Sequence, residues 1–162
     1  MRKDMDIKED CPSCHRAGLS IEKERLEVRP QVEEERLLRQ WPIQIKLIGT
    51  VAPFLNDSEL LVAADCTAFS IKGFHERFLG GKKLLIGCPK LDGGMEYVEK
   101  FTEMFANIPI KKVTVLRMEV PCCGGMTAVL KEAINRSGKD IPLDEIIIGI
   151  KGGVIAERAV NY

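Results

Sequence analysis

Two short runs, Leu60-Leu61-Val62-Ala63-Ala64 and Leu84-Leu85-Ile86, are apolar at every position. A strand with one wet face alternates apolar and polar residues, so a run apolar on both faces needs cover on both sides. Central strands of a parallel sheet meet that condition. From Ile43 onward similar runs alternate with helical patterns, the signature of an α/β domain. The main strands are predicted at Ile43 to Thr50, Glu59 to Asp65, Lys83 to Cys88, Lys112 to Glu119 and Glu145 to Ile150, each rich in Val, Ile or Leu.

Helices fill the gaps. Met95, Val98, Phe101, Thr102 and Phe105 recur at helical spacing after Gly93-Gly94, and Met126, Val129, Leu130, Ala133 and Ile134 do so after Gly124-Gly125. The second of these stops at Ser137-Gly138, and a shorter helix is expected over Phe74 to Leu79. Lys151-Gly152-Gly153 reads as a tight turn that returns Val154 to Val160 as an antiparallel edge strand. The expected fold is an open, mostly parallel Rossmann- or flavodoxin-like sheet with flanking helices.

Residues 1–40 have a different texture, with nine Lys/Arg, ten Asp/Glu and few large apolar side chains beyond Ile21, Leu26, Leu37 and Leu38. They are expected to form a charged arm, with a short helix over Val32 to Arg39, ahead of a cysteine-bearing domain over 41–162. The 162 residues are too few for two full domains. A formal net charge of zero argues against nucleic-acid binding by bulk charge. The charged N-terminus leads into no apolar stretch, and no apolar run reaches membrane-spanning length, so a cytoplasmic location without membrane insertion is expected.

Six cysteines are too few for a disulfide scaffold at this length, and in a reducing compartment clustered cysteines point to metal or redox chemistry. Their positions sharpen this. Cys66 ends the second predicted strand, Cys88 the third, and Cys122-Cys123 follow the fourth. In a parallel sheet these ends share one edge, and ligands bind outside it where the strand order reverses. Thiolates select zinc, copper(I) or iron–sulfur clusters over hard cations. One zinc ion would use four Cys or His ligands, with His75 a spare candidate, although a helix-surface place is the plainer reading of that histidine. Vicinal Cys122 and Cys123 suit a cluster of several irons better than one tetrahedral ion, because neighbouring side chains diverge. Gly124 and Gly125 are expected to leave loop amides open to such a group. Asp65, Asp92 and Glu119 lie beside the cysteine loops, either as solvated surface or tuning a redox potential.

The upstream Cys11-Pro12-Ser13-Cys14-His15 formally matches a c-type haem attachment site, but no export signal accompanies it. Half of a metal site completed elsewhere and an exposed thiol pair both remain open for Cys11 and Cys14. The loop Gly49-Thr50-Val51-Ala52-Pro53 lacks the glycine patterns of NAD and ATP sites.

Gln40-Trp41-Pro42-Ile43-Gln44, Ala63-Ala64-Asp65-Cys66, Gly73 to Leu79, Cys88-Pro89-Lys90-Leu91-Asp92 and Met118 to Gly125 occur in this order. Together they resemble the C-terminal domain of ferredoxin-type iron–sulfur-cluster-binding oxidoreductases of anaerobic microbes, over about Leu37 to Ile155. The ferredoxin module of longer relatives is absent. The resemblance implies electron transfer through an iron–sulfur cluster, 4Fe–4S foremost, as a component of an oxidoreductase. It also implies a redox partner protein such as a separate ferredoxin. A weaker similarity links Cys88 and Cys122-Cys123-Gly124 to the CCG motif of heterodisulfide reductases, whose downstream Cys-x-x-Cys has no counterpart after Cys123, with Cys11 and Cys14 at the other end of the chain the candidates to supply it. The competing expectation is a zinc-binding or metal-free module that docks to a larger redox complex.

Overall fold

The computed structural model describes residues 37–162. Cys11, Cys14 and most of the helix expected over Val32 to Arg39 lie outside the described residues. The last three residues of that expected helix are described and are not helical.

Five strands form one sheet: β1 (Ser58–Ala64), β2 (Lys83–Gly87), β3 (Ile110–Met118), β4 (Leu143–Ile148) and β5 (Val154–Ala159), in the order β2-β1-β3-β4-β5. The first four run parallel, and β5 pairs antiparallel with β4. Four α-helices accompany them among the described residues: α1 (Thr67–Ser70), α2 (Pro89–Asp92), α3 (Gly94–Asn107) and α4 (Pro121–Ser137). Both all-apolar runs are parallel strands, as expected, and β1 lies between β2 and β3, with Val62 opposite Leu85 on one side and Val115 on the other.

Alternate residues of β1 feed two cores. Leu60 and Val62 join Tyr97, Val98, Phe101, Met104 and Phe105 of α3 and Met126, Val129, Leu130, Ala133 and Ile134 of α4 on one face. Leu61 and Ala63 join Ile71, Phe74, Phe78 and Leu79 on the other. The α3 positions recur at helical spacing, and Phe101 stacks on Phe105 with ring centroids 5.5 Å apart. Burying one such ring stabilises the fold by about 2–3 kcal/mol. Helix α4 ends where Gly138 takes a left-handed φ of 67°, which a residue without Cβ adopts at little cost.

One predicted strand is not a strand. Ile43 to Thr50 contributes a single bridge, Gln44 to Ile86, and then turns into a 3₁₀ helix over Ile45–Leu47. Ile43, Ile45 and Leu47 alternate as strand residues do, but the buried side chains are Ile45 and Ile48, three apart as in a tight helical turn. The expected helix at Phe74 to Leu79 is a short, wide turn of helix over His75–Leu79.

Ahead of that turn, the chain seals the outer edge of β2. The Gln40 side-chain amide donates to the Leu84 carbonyl at 2.7 Å and accepts from the Leu84 N–H at 3.1 Å, and the Ile86 N–H donates to the Ile43 carbonyl at 2.8 Å. Leu38 packs against the neighbouring core.

Candidate functional site

Three consecutive parallel strands end, and at each end a helix follows with a cysteine at its cap or in its first turn. Cys66 is the cap residue of α1, Cys88 is the cap residue of α2, and Cys122 and Cys123 occupy the first turn of α4. Proline stands at the start of both α2 and α4, where its missing N–H costs nothing and its fixed φ suits the helix. The sheet order reverses at β1, which has β2 on one side and β3 on the other, and in open parallel sheets ligands bind outside the strand ends at such a point.

Adjacent ends are tied together. The Asp65 N–H donates to the Gly87 carbonyl at 3.2 Å, joining the exits of β1 and β2. The Thr67 hydroxyl donates to the Ala64 carbonyl at 2.7 Å, and the Ser70 hydroxyl donates to that of Cys66 at 2.8 Å, fixing the turn around Cys66. Gly125 of α4 faces Pro89, whose ring lies 3.6 Å from where a Cβ would stand. The residue after Cys88 therefore touches the helix that carries Cys122 and Cys123.

All four described cysteines are free thiols; Cys66 and Cys122 are exposed, Cys88 is half-buried and Cys123 is buried. Burial pushes the Cys123 thiol up, with the neighbouring Cys122 and Cys66 adding to the rise against a backbone contact at Met118. Cys66, Cys122 and Cys123 thus share one electrostatic neighbourhood. Among the described residues no three Cys, His, Asp or Glu side chains are arranged as they stand to hold a metal ion.

The glycines differ from expectation, whereas His75 takes the helix-surface place that was its plainer reading. Gly124 and Gly125 lie inside α4, so the loop of free amides expected for them does not form, and the first turn of a 17-residue helix stands there instead. The helical period simply begins three residues before the pair, at Pro121. His75 is exposed and its ring meets Phe74 edge-on, 5.5 Å between centroids. Cys11 and Cys14 lie outside the described residues.

Beside Cys88, Asp92 has a partner in Tyr97 that the sequence pattern did not reveal. Asp92 Oδ2 accepts hydrogen bonds from the Cys88 N–H at 3.2 Å and from the Tyr97 hydroxyl. The Tyr97 bond, with the Cys88 amide and Lys46, holds the Asp92 carboxyl below its usual range despite partial burial. Burial and the Asp92 carboxylate push the Tyr97 phenol up. Burial and Asp92 likewise raise Asp65, whose Oδ1 is buried and, among the described residues, has no hydrogen-bond partner. Tyr97 sits at an apolar position of the α3 repeat, so periodicity disguised its polar role. Glu119 is tied to the next strand end, its Oε1 accepting from the Ile150 N–H at 2.8 Å.

A second polar group was also missed, although a lone glutamate in the run Leu143 to Ile148 was its visible sign. Glu145, 1% exposed, accepts from Arg117 Nε at 2.7 Å, Thr127 Oγ1 at 2.6 Å and Arg158 Nε at 2.7 Å. A groove of about 470 Å³ lined by Glu59, Arg77, Lys82, Lys112 and Asp144 opens near the amino-terminal ends of the strands, away from the cysteines.

A family profile described as a Rossmann-like domain matches residues 52–161, most of the chain. The chain belongs to the Rossmann-like domain family. This Rossmann-like domain is also 31% identical over 117 residues to an uncharacterised protein of Archaeoglobus fulgidus, covering 72% of this chain and 82% of the relative. No solved structure matches it. Among the described residues of this Rossmann-like domain, no helix is long and apolar enough to cross a membrane.

Proposed function

We propose that the chain is a redox protein in which Cys66, Cys88, Cys122 and Cys123 hold an iron–sulfur cluster, 4Fe–4S foremost, at the carboxyl edge of the sheet. The observation that supports this reading is that four free thiols stand at the exits of three neighbouring parallel strands, beside the point where the strand order reverses. Soft thiol donors suit iron–sulfur or zinc chemistry, and exposed Cys66 and Cys122 can swing toward buried Cys123. The cluster would supply one-electron transfer. The protein would shield one side of it through the apolar wall of Ala64, Leu116 and Met118 that packs around Cys123. The amino terminus of α4 carries positive partial charge, which favours thiolate over thiol and offsets the net negative charge of a cluster. Asp92 holds the Cys88 amide and so fixes the turn on which that ligand rides.

Anaerobic purification, a visible spectrum and analysis of iron, sulfide and zinc test the proposal. Brown protein with stoichiometric iron and sulfide supports it. Colourless protein with one zinc ion replaces it with the zinc-binding module, and metal-free protein with reactive thiols overturns both.

A further inference from the structure

The edge that carries the cysteines also carries apolar side chains that the fold leaves uncovered. Phe69 of α1 is 93% exposed and Leu91 of α2 is 85% exposed, with Met95 at the start of α3 and Ile150 after β4 also exposed. The turn holding Ile150 lies against α1, since a Cβ on Gly152 would stand 2.9 Å from the Ser70 carbonyl oxygen. Leu91 and Met95 follow Cys88 on the next strand exit, so these four apolar side chains all belong to the elements at the carboxyl ends of the strands. Clusters of this kind mark interaction sites.

The charges around them are sorted. Lys72, Lys90 and Lys151 are exposed, each within three residues of Phe69, Leu91 or Ile150. The acids of this edge are engaged within the chain: Asp92 by Tyr97 and Cys88, half-buried Asp65 beside it, exposed Glu119 by the Ile150 amide and exposed Glu96 by Lys46. The chain has no net charge, so the basic rim is a local arrangement. Lysines at an interface rim steer encounter with an anionic partner and suppress wrong ones.

From this pattern we infer that the cysteine edge docks an acidic electron-carrier protein, with Phe69, Leu91, Met95 and Ile150 as the contact centre and Lys72, Lys90 and Lys151 as the rim. The inference rests on the proposed redox function for its purpose, although the surface stands on its own observations. An anionic carrier would be repelled by a thiolate-bound cluster, and the three lysines offset that repulsion where the two proteins meet.

Two purified probes of similar size, an acidic ferredoxin and a basic cytochrome c, are titrated onto the full chain purified without oxygen, with binding read by calorimetry and iron content measured alongside. The ferredoxin is expected to bind at low salt and to weaken at least tenfold between 50 and 300 mM salt, while the cytochrome does not bind. A Lys72→Glu/Lys90→Glu/Lys151→Glu variant is expected to lose at least tenfold in affinity. Phe69→Ser/Leu91→Ser is expected to lose binding at every salt concentration. Ferredoxin affinity unchanged in both variants, or equal binding of the cytochrome, overturns the inference. Docking that survives in a chain shown to hold no metal refutes the redox proposal and leaves the surface standing. Iron-loaded protein that binds neither probe does the reverse.

Discussion

Glu145→Gln isolates the charge of a buried carboxylate while keeping its shape. In the native protein, burial alone would raise this carboxyl, but hydrogen bonds from Thr127, Arg117 and Arg158 outweigh it and hold the group down at about 2, against an ordinary value of 4.5. At about 1.4 kcal/mol for each tenfold change in proton affinity, that difference corresponds to about 3 kcal/mol of stability. Because the folded value lies below the unfolded one, this contribution is complete above pH 4.5 and is lost as pH falls toward 2. Removing the charge also leaves Arg117, itself largely buried, without its counterion. Urea denaturation of wild type and Glu145→Gln at intervals from pH 7 down to pH 2.5 measures the difference directly. The variant is expected to be less stable by about 3 kcal/mol at pH 7, and the gap should shrink steadily below pH 4.5. A gap of constant size across the whole range would refute the electrostatic account.

Replacing Cys66, Cys88 or Cys122 with Ser is expected to abolish stoichiometric metal, because each removes one ligand from the shell, while Cys11→Ser and Cys14→Ser retain it; full metal content in all three strand-end variants would sink the site. Gly87→Ala places a Cβ 2.1 Å from the Tyr97 hydroxyl and 2.9 Å from Ile45 Cδ1, so it should cost about 1–3 kcal/mol in urea denaturation. Part of that loss should return when Tyr97→Phe removes the hydroxyl in the same chain, and an additive pair of losses would contradict the clash. Gly124→Ala meets nothing within 4 Å and lies inside α4, so the melting temperature should rise, by the equivalent of up to about 1 kcal/mol, with metal content unchanged. A lower melting temperature would show that the position is crowded.

What could be read from residues alone follows from how local each signal is. Runs apolar on both faces announce β1 and β2 because only a covered strand tolerates them, and the α3 repeat announces itself because its buried positions follow one period. The cysteines were legible as a group because a parallel sheet carries every strand exit to one edge. Segment 43–50 misled because its alternating Ile43, Ile45 and Leu47 imitate a strand, while burial follows Ile45 and Ile48. The start of α4 was hidden by Gly124-Gly125, which weaken helix propensity just where Pro121 had already begun the helix. The pairings of Asp92 with Tyr97 and of Glu145 with two arginines depend on contacts across elements, which no local pattern encodes.

A sheet that ends in an unpaired strand is an open template for strands from other chains. Along β2 that template is already written over: Gln40 presents its amide to Leu84 as a passing strand would, and Ile43 takes up the Ile86 N–H two residues further on. A neighbouring copy meeting this side finds the Leu84 donor and acceptor engaged. At the opposite margin β5 exposes Glu157 and Arg158, charges that disfavour the flat, dry stacking of amyloid. The chain thus denies its copies the simplest route to growing into fibres, and one side-chain amide guards one of the two margins.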